Sequence, residues 1–143
     1  MNWKDRAIDD LKLLEVRRQA VEGLRAQIAA VEADAVSLTG ASGGTPIKGG
    51  GNRQEIRLCS YIDRKDKLVA KESAMLALVK QTERALAALG KTERAVLNAF
   101  FCENRRPGEA VRELEMLEHI SRSEAYRLRE RALWLFAGMM GYL

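Results

Sequence analysis

A seven-residue recurrence of apolar side chains limits what this chain can fold into. Ala7, Leu14, Val21, Ile28 and Ala35 stand seven apart, Leu24, Val31 and Leu38 repeat the step on an adjoining row, and Leu11 joins the same face. Such a step lays side chains along one narrow stripe of an α-helix, and a partner helix has to cover that stripe. Only Gly23 interrupts the pattern between Trp3 and Leu38. A second pattern runs from about Gln54 to Leu89, with Leu58, Ile62, Leu68/Val69, Met75/Leu76, Val79, Leu86 and Leu89 keeping a stripe. At 1.5 Å per residue each helix would be roughly 50 Å long. Aromatic residues make up 6% of the chain and β-branched clusters are scarce, so a sheet is not expected.

Between the two patterns lies "TGASGGTPIKGGGN", Thr39 to Asn52. Glycine loses the most backbone entropy on ordering and proline lacks the N–H, so this stretch reads as a flexible connector over 39–53. No Gly-Lys-Ser/Thr follows it and no strand precedes it, which argues against a phosphate cradle. Two stripes of similar length joined this way predict a long antiparallel helical hairpin, coiled-coil-like in its packing. Parallel self-association of either helix is the competing solution, and both hold at once if hairpins dimerise.

Gly90 ends the second pattern. The match of Gly90-Lys91-Thr92 to the end of a phosphate-binding loop fails at residue 85, which is Ala rather than Gly. Gly90 is expected to stop one helix and Thr92 to cap the next, with Glu93 in its first turn. Shorter segments follow: a helix over Thr92–Phe101, the turn "ENRRPG", a helix from Gly108 or Glu109 to about Glu118, the turn "EHI", and a helix capped by Ser121 that reaches Gly138 or beyond. The expected fold is therefore all-α, with a hairpin over 1–90 and a small helix-turn-helix domain over 91–143.

Global charge says little about partners. Residues 1–90 carry 15 basic against 12 acidic side chains, and residues 91–143 carry nine against eight. The informative cluster is local: "ISRSEAYRLRERAL", Ile120–Leu133, holds four arginines. On a helix, Ala125, Leu128 and Ala132 share one small apolar face. Arg122, Ser123, Tyr126, Arg127 and Glu130 occupy the opposite faces, with Arg129 and Arg131 flanking. The N-terminal part of the second helix of a helix-turn-helix enters the major groove, where Arg suits guanine, Ser is adaptable and Glu accepts from cytosine. The competing reading is a solvated helix laced by charge pairs. The order of helix, short turn, serine cap and long basic helix favours the groove reading, in which Arg122, Ser123, Glu124, Tyr126 and Arg127 read bases while Arg129 and Arg131 anchor to phosphate.

These segments also resemble a known family. Glu93-Arg94 with Val96-Leu97, then Ile120-Ser121-Arg122-Ser123, Tyr126-Arg127 and Arg131-Ala132-Leu133 are similar to the fourth region of sigma-70-type transcription factors, in the form carried by phage-encoded regulators of the RinA/ArpU type. Two departures are visible: the turn "LEHIS" is longer than the family's usual Leu-Gly-Ile-Ser, and Ala125 stands where a larger Val is common. The resemblance implies regulation of late phage genes through double-stranded DNA, with RNA polymerase as a further partner, in the bacterial cytoplasm of the host.

The leading expectation is thus a DNA-binding transcription regulator acting as a homodimer. An alternative is a DNA-packaging protein resembling phage small-terminase subunits, since a helix-turn-helix joined to a coiled coil describes those too; a third is a protein that docks on and blocks a host enzyme. An enzyme is not expected. The sole histidine, His119, falls in a turn, no Ser/His/Asp set exists, and Cys59 and Cys102 lack metal-ligand spacing, so no cofactor is expected. Cys59 is read as packed within its stripe. No leader segment is expected from "MNWKDRAIDD", and the apolar run Ala132–Leu143 is too short to span a bilayer, so neither membrane association nor an oxidising compartment is expected. In "WLFAGMMGYL", Trp134, Leu135, Phe136, Met139, Met140 and Leu143 are too many for a free surface and are expected to close the small core or dock on the hairpin, the lesser alternative being a dimer or polymerase contact.

Overall fold

The computed structural model describes residues 1–40 and 51–143, and the fold is all-α. The connector expected over 39–53 lies for the most part outside the described residues. The elements are α1 (Trp3–Gly40), α2 (Gly51–Ala87), α3 (Lys91–Leu97), a π-helical turn (Asn98–Cys102), α4 (Pro107–Leu117) and α5 (Arg122–Met140). Helices α1 and α2 form the long antiparallel hairpin, and α4, a short turn and α5 follow in helix-turn-helix order.

By its internal contacts the chain forms two compact units, one of Met1–Arg17 with Ala77–Leu143 and one of Arg18–Leu76. The break at Gly90, taken from the sequence as the boundary between 1–90 and 91–143, falls inside the first of these units. That unit holds most of the core. Ala7, Leu11 and Leu14 of α1 and Val79, Ala85 and Leu86 of α2 are buried, as are Val96 and Leu97 of α3, Leu114 of α4 and Ala132, Leu133 and Phe136 of α5. Full burial of a Leu- or Phe-sized side chain stabilises by about 1.5–3 kcal/mol, so this unit carries the stability. Helix α5 packs on α3 and on α4.

Arg18–Leu76 is the seam of the hairpin. Arg25 Nε lies 3.2 Å from Glu72, and Lys65 Nζ 2.9 Å from Glu32. A seven-residue advance on α1 is matched by a seven-residue retreat on α2, which sets the antiparallel register. Exposed pairs of this kind add little energy each but penalise a slipped register. Val21 and Val31 are buried, whereas Leu24, Ile28, Leu58 and Leu68 are only half-buried, because two helices cannot enclose a shared stripe completely. Ile62, read from its spacing as part of the stripe, is 50% exposed. Cys59 is also exposed rather than packed.

Local chemistry explains the element ends. Pro107 opens α4, where its missing N–H costs no helical bond. Ser121 caps α5, its hydroxyl accepting from the Glu124 N–H at 3.3 Å. Thr92 does not cap α3: Gly90 holds that position with extended backbone, and Thr92 lies inside the helix. The helix expected over Thr92–Phe101 widens after Leu97, where the Glu103 N–H donates to the Asn98 carbonyl, and Ala99, Phe100 and Phe101 are all buried there. In the turn after α4, His119 takes φ of 55°, while the N–H groups of Glu118 and Ile120 both donate to the Leu114 carbonyl. Gly141, with φ of 78°, closes α5: its N–H donates to the Gly138 carbonyl and the Tyr142 N–H to the Ala137 carbonyl. Glycine adopts that left-handed position without a steric cost.

The apolar C-terminus is divided. Phe136, Ala137 and Met140 are buried in the core, whereas Trp134, Met139 and Leu143 are more than half exposed. No described helix is long and apolar enough to cross a membrane.

Candidate nucleic-acid interface

Helix α5 presents two faces. Ala125, Ala132, Leu133, Phe136 and Ala137 are buried against the unit, and the small side chains at 125 and 132 allow close approach. Arg122, Ser123, Glu124 and Arg127, in the first two turns, are exposed together with Arg131 further along. Among the described residues Arg127 pairs with Glu124 alone, at 3.7 Å and one turn earlier, and its side chain is 77% exposed. Neither Arg122 nor Arg131 makes an ion pair among the described residues. Helix α4 carries Glu109, Glu113 and Glu115 against Arg112, so the positive charge of the helix pair belongs to α5.

Two residues grouped with this face by sequence sit differently. The Tyr126 ring is half-buried and packs on Phe100 at 5.6 Å between centroids, tilted by 47°. The Arg129 guanidinium lies over both rings, 4.9 Å from that of Tyr126 and 5.2 Å from that of Phe100. Its side chain is 27% exposed, its Nε is buried without a hydrogen-bond partner, and one Nη donates to Glu130 at 3.3 Å. Delocalised charge and weak hydration suit Arg to such an aromatic setting. Glu130 in turn accepts from Lys4 Nζ at 2.6 Å, and that bond holds its carboxyl below the usual range. Arg129 thus joins α5 to the π-helical turn, while Arg122, Arg127 and Arg131 stay open.

Several side chains outside the expected set fix the geometry. The Arg94 guanidinium donates to the Leu89 carbonyl at 3.1 Å, ordering the turn between α2 and α3. Arg105 pairs with Glu103 at 3.1 Å and with Glu113, tying the loop before α4 to that helix. The Tyr142 hydroxyl donates to Asp10, which also accepts from Arg17 at 2.8 Å, and the Arg6 guanidinium lies 4.2 Å from the Tyr142 ring centre. The contacts of Tyr142 with Asp10 and Arg6 are not visible in local spacing, because the partners lie more than 130 positions apart and are brought together only by the tertiary fold. Among the described residues no three His, Cys, Asp or Glu side chains gather where they could share a metal ion.

No family model matches the chain, and neither a curated protein nor a solved structure does.

Proposed function

We propose that this chain is a DNA-binding transcription regulator of the phage type, reading the major groove with the first turns of α5. The observation that carries the reading is the pairing of an exposed Arg122–Ser123–Arg127 face with a buried Ala125–Ala132–Leu133 face on one capped helix. An arginine free of internal partners can present its fork to the O6 and N7 of guanine. Arg122, Ser123, Glu124 and Arg127 meet bases; Arg131 holds phosphate. Tyr126 and Arg129 contribute by supporting the helix through their packing on Phe100.

The regulator acts as a homodimer, and RNA polymerase is its second partner. Supporting the dimer is the thin seam of Arg18–Leu76, where Val21 and Val31 alone are buried among the described residues. Light scattering of the full chain tests the assembly: two copies support the regulator, whereas eight or more would turn the reading toward a packaging ring. Titration with duplex DNA at rising salt tests the partner, since affinity built on phosphate contacts falls steeply with salt.

A further inference from the structure

The second compact unit carries a charged surface that the helix-turn-helix reading leaves unused. Arg53, Arg57, Ser60, Arg64, Lys67 and Lys71 follow one another along α2 at steps of four, three, four, three and four residues. That alternation keeps side chains on a single straight row of an α-helix. All six are exposed. The row therefore presents five cations along roughly 27 Å of helix, at 1.5 Å per residue.

The arrangement is not what a merely solvated helix needs. Such a face mixes signs and gains from opposite charges three or four residues apart. Here Arg53–Arg57, Arg64–Lys67 and Lys67–Lys71 are like-charge neighbours at those separations, each mildly destabilising. The acids of α2 fall elsewhere. Glu55 and Asp66 share a different row with Cys59 and Ile62, Glu72 turns to Arg25 on α1, and Glu83 lies beyond the row; Asp63, four residues before Lys67, stands between the two rows but forms no ion pair with it among the described residues. No carboxylate among the described residues pairs with any of the five cations. The Arg64 guanidinium lies 5.7 Å from the Tyr61 ring centre. Lys65, on the α1 side of the same helix, is by contrast paired with Glu32.

We propose that this row is a second, sequence-independent docking face for the backbone of double-stranded DNA. A straight rigid row of cations complements a rigid polyanion, and its length follows about eight base pairs at 3.4 Å each. Single strands are bound by combining cations with exposed aromatic platforms for base stacking. The row itself holds no aromatic residue, and the neighbouring Tyr61 ring is half-buried and already met by Arg64. A membrane-surface helix needs a broad apolar face to bury in lipid, whereas α2 turns Leu58, Leu68 and the Lys65 and Glu72 contacts toward α1. The face adds affinity without reading bases and does not depend on α5 being the groove-reading element.

The test uses the full chain and a fluorescent duplex of arbitrary sequence, about three helical turns long, followed by anisotropy between about 50 and 200 mM salt. One variant replaces Arg57, Arg64, Lys67 and Lys71 by Gln, which is helix-compatible at exposed positions. A charge-matched control replaces the exposed Lys12, Lys80, Arg84 and Lys91 by Gln. A third variant carries Arg122→Ala and Arg127→Ala. Circular dichroism and the thermal midpoint confirm that each folds. The row variant is expected to bind roughly tenfold or more weakly at about 100 mM salt, its log–log salt slope shallower by about 0.9 for each phosphate contact removed. The charge-matched control is expected to keep most of its affinity. Four outcomes overturn the proposal: the row variant binding within about twofold of the parent with an unchanged slope, the control losing as much as the row variant, no duplex binding by the parent at the lowest salt, or binding by the parent to phosphatidylserine vesicles in place of DNA. If the Arg122/Arg127 variant binds this arbitrary duplex like the parent while the row variant does not, the row stands whatever the outcome for α5, whose groove reading is tested on a selected sequence.

Discussion

The Tyr142 hydroxyl donates a hydrogen bond to the carboxylate of Asp10, joining the residue after the α5 cap to the third turn of α1 across 132 positions of chain. Asp10 is 7% exposed, and its other oxygen accepts from Arg17 at 2.8 Å. The left-handed Gly141 turns the chain so that Tyr142 reaches this site. The C-terminal end of α5 is thereby fixed to the first helix of the same compact unit.

Tyr142→Phe keeps the ring beneath Arg6 and removes only the donor. The expected loss is about 1–2 kcal/mol, typical of a hydrogen bond to a charged group in a partly buried site. Urea denaturation of parent and variant measures it, and an unchanged midpoint would show that the bond carries no stability.

The same hydroxyl sets a pH dependence. Burial, then the bond to Asp10, pushes the Tyr142 phenol up to about 12 from an ordinary value of 10. The folded state therefore holds this proton more tightly than the unfolded state. The contribution is fully present below pH 10 and is lost as pH rises from about 10 towards 12. A plot of the stability difference between parent and Tyr142→Phe should shrink over that window and stay flat near neutrality.

His119 holds a left-handed backbone conformation, with φ of 55°, in the turn between α4 and α5. A side chain with a Cβ pays for that conformation, and glycine does not. His119→Gly should stabilise the fold by roughly 0.5–1 kcal/mol after its extra unfolded-state entropy is counted. A higher thermal midpoint is the expected reading; a lower one would mean that the imidazole makes a stabilising contact.

The arginines of α5 should separate by what they do. Arg129→Ala removes a guanidinium stacked on Phe100 and Tyr126 and should cost about 1–2 kcal/mol, near the upper range for partly desolvated cation–π contacts. Arg122→Ala and Arg127→Ala should each stay within about 0.5 kcal/mol of the parent, as exposed substitutions usually do. Thermal melts of the three single variants make the comparison, and a loss at Arg122 or Arg127 as large as that at Arg129 would show those side chains to be structural.

How far the fold could be read in advance depended on the range of the interaction. Ala7, Leu11, Leu14, Val21 and Val31 recur at helical spacing, and their burial follows from that spacing. Ser121 stands immediately before α5, so its cap was equally legible. Ile62 has the same periodicity yet stays half exposed, because spacing gives a face and not the width of its cover. Helical spacing alone groups Arg129 with the open arginines, because its aromatic partner Phe100 lies 29 positions away in a widened turn that no local pattern announces. Tyr142 and Asp10 show the same limit at the largest separation. Of the candidate interface, the exposed Arg122–Arg127 edge was legible from helical geometry; the internal engagement of Arg129 and Tyr126 required tertiary packing.

Selection of duplexes from a random pool by the full chain, followed by anisotropy on the enriched sequence, decides whether α5 reads DNA. A discrete sequence should emerge, and Arg122→Ala with Arg127→Ala should weaken binding to it by roughly thirtyfold or more, given about 1–3 kcal/mol for each bidentate contact, while the melting temperature holds. No enrichment by the parent, or equal affinity of parent and variant for the enriched duplex, would contradict the assignment of α5 as the reading helix.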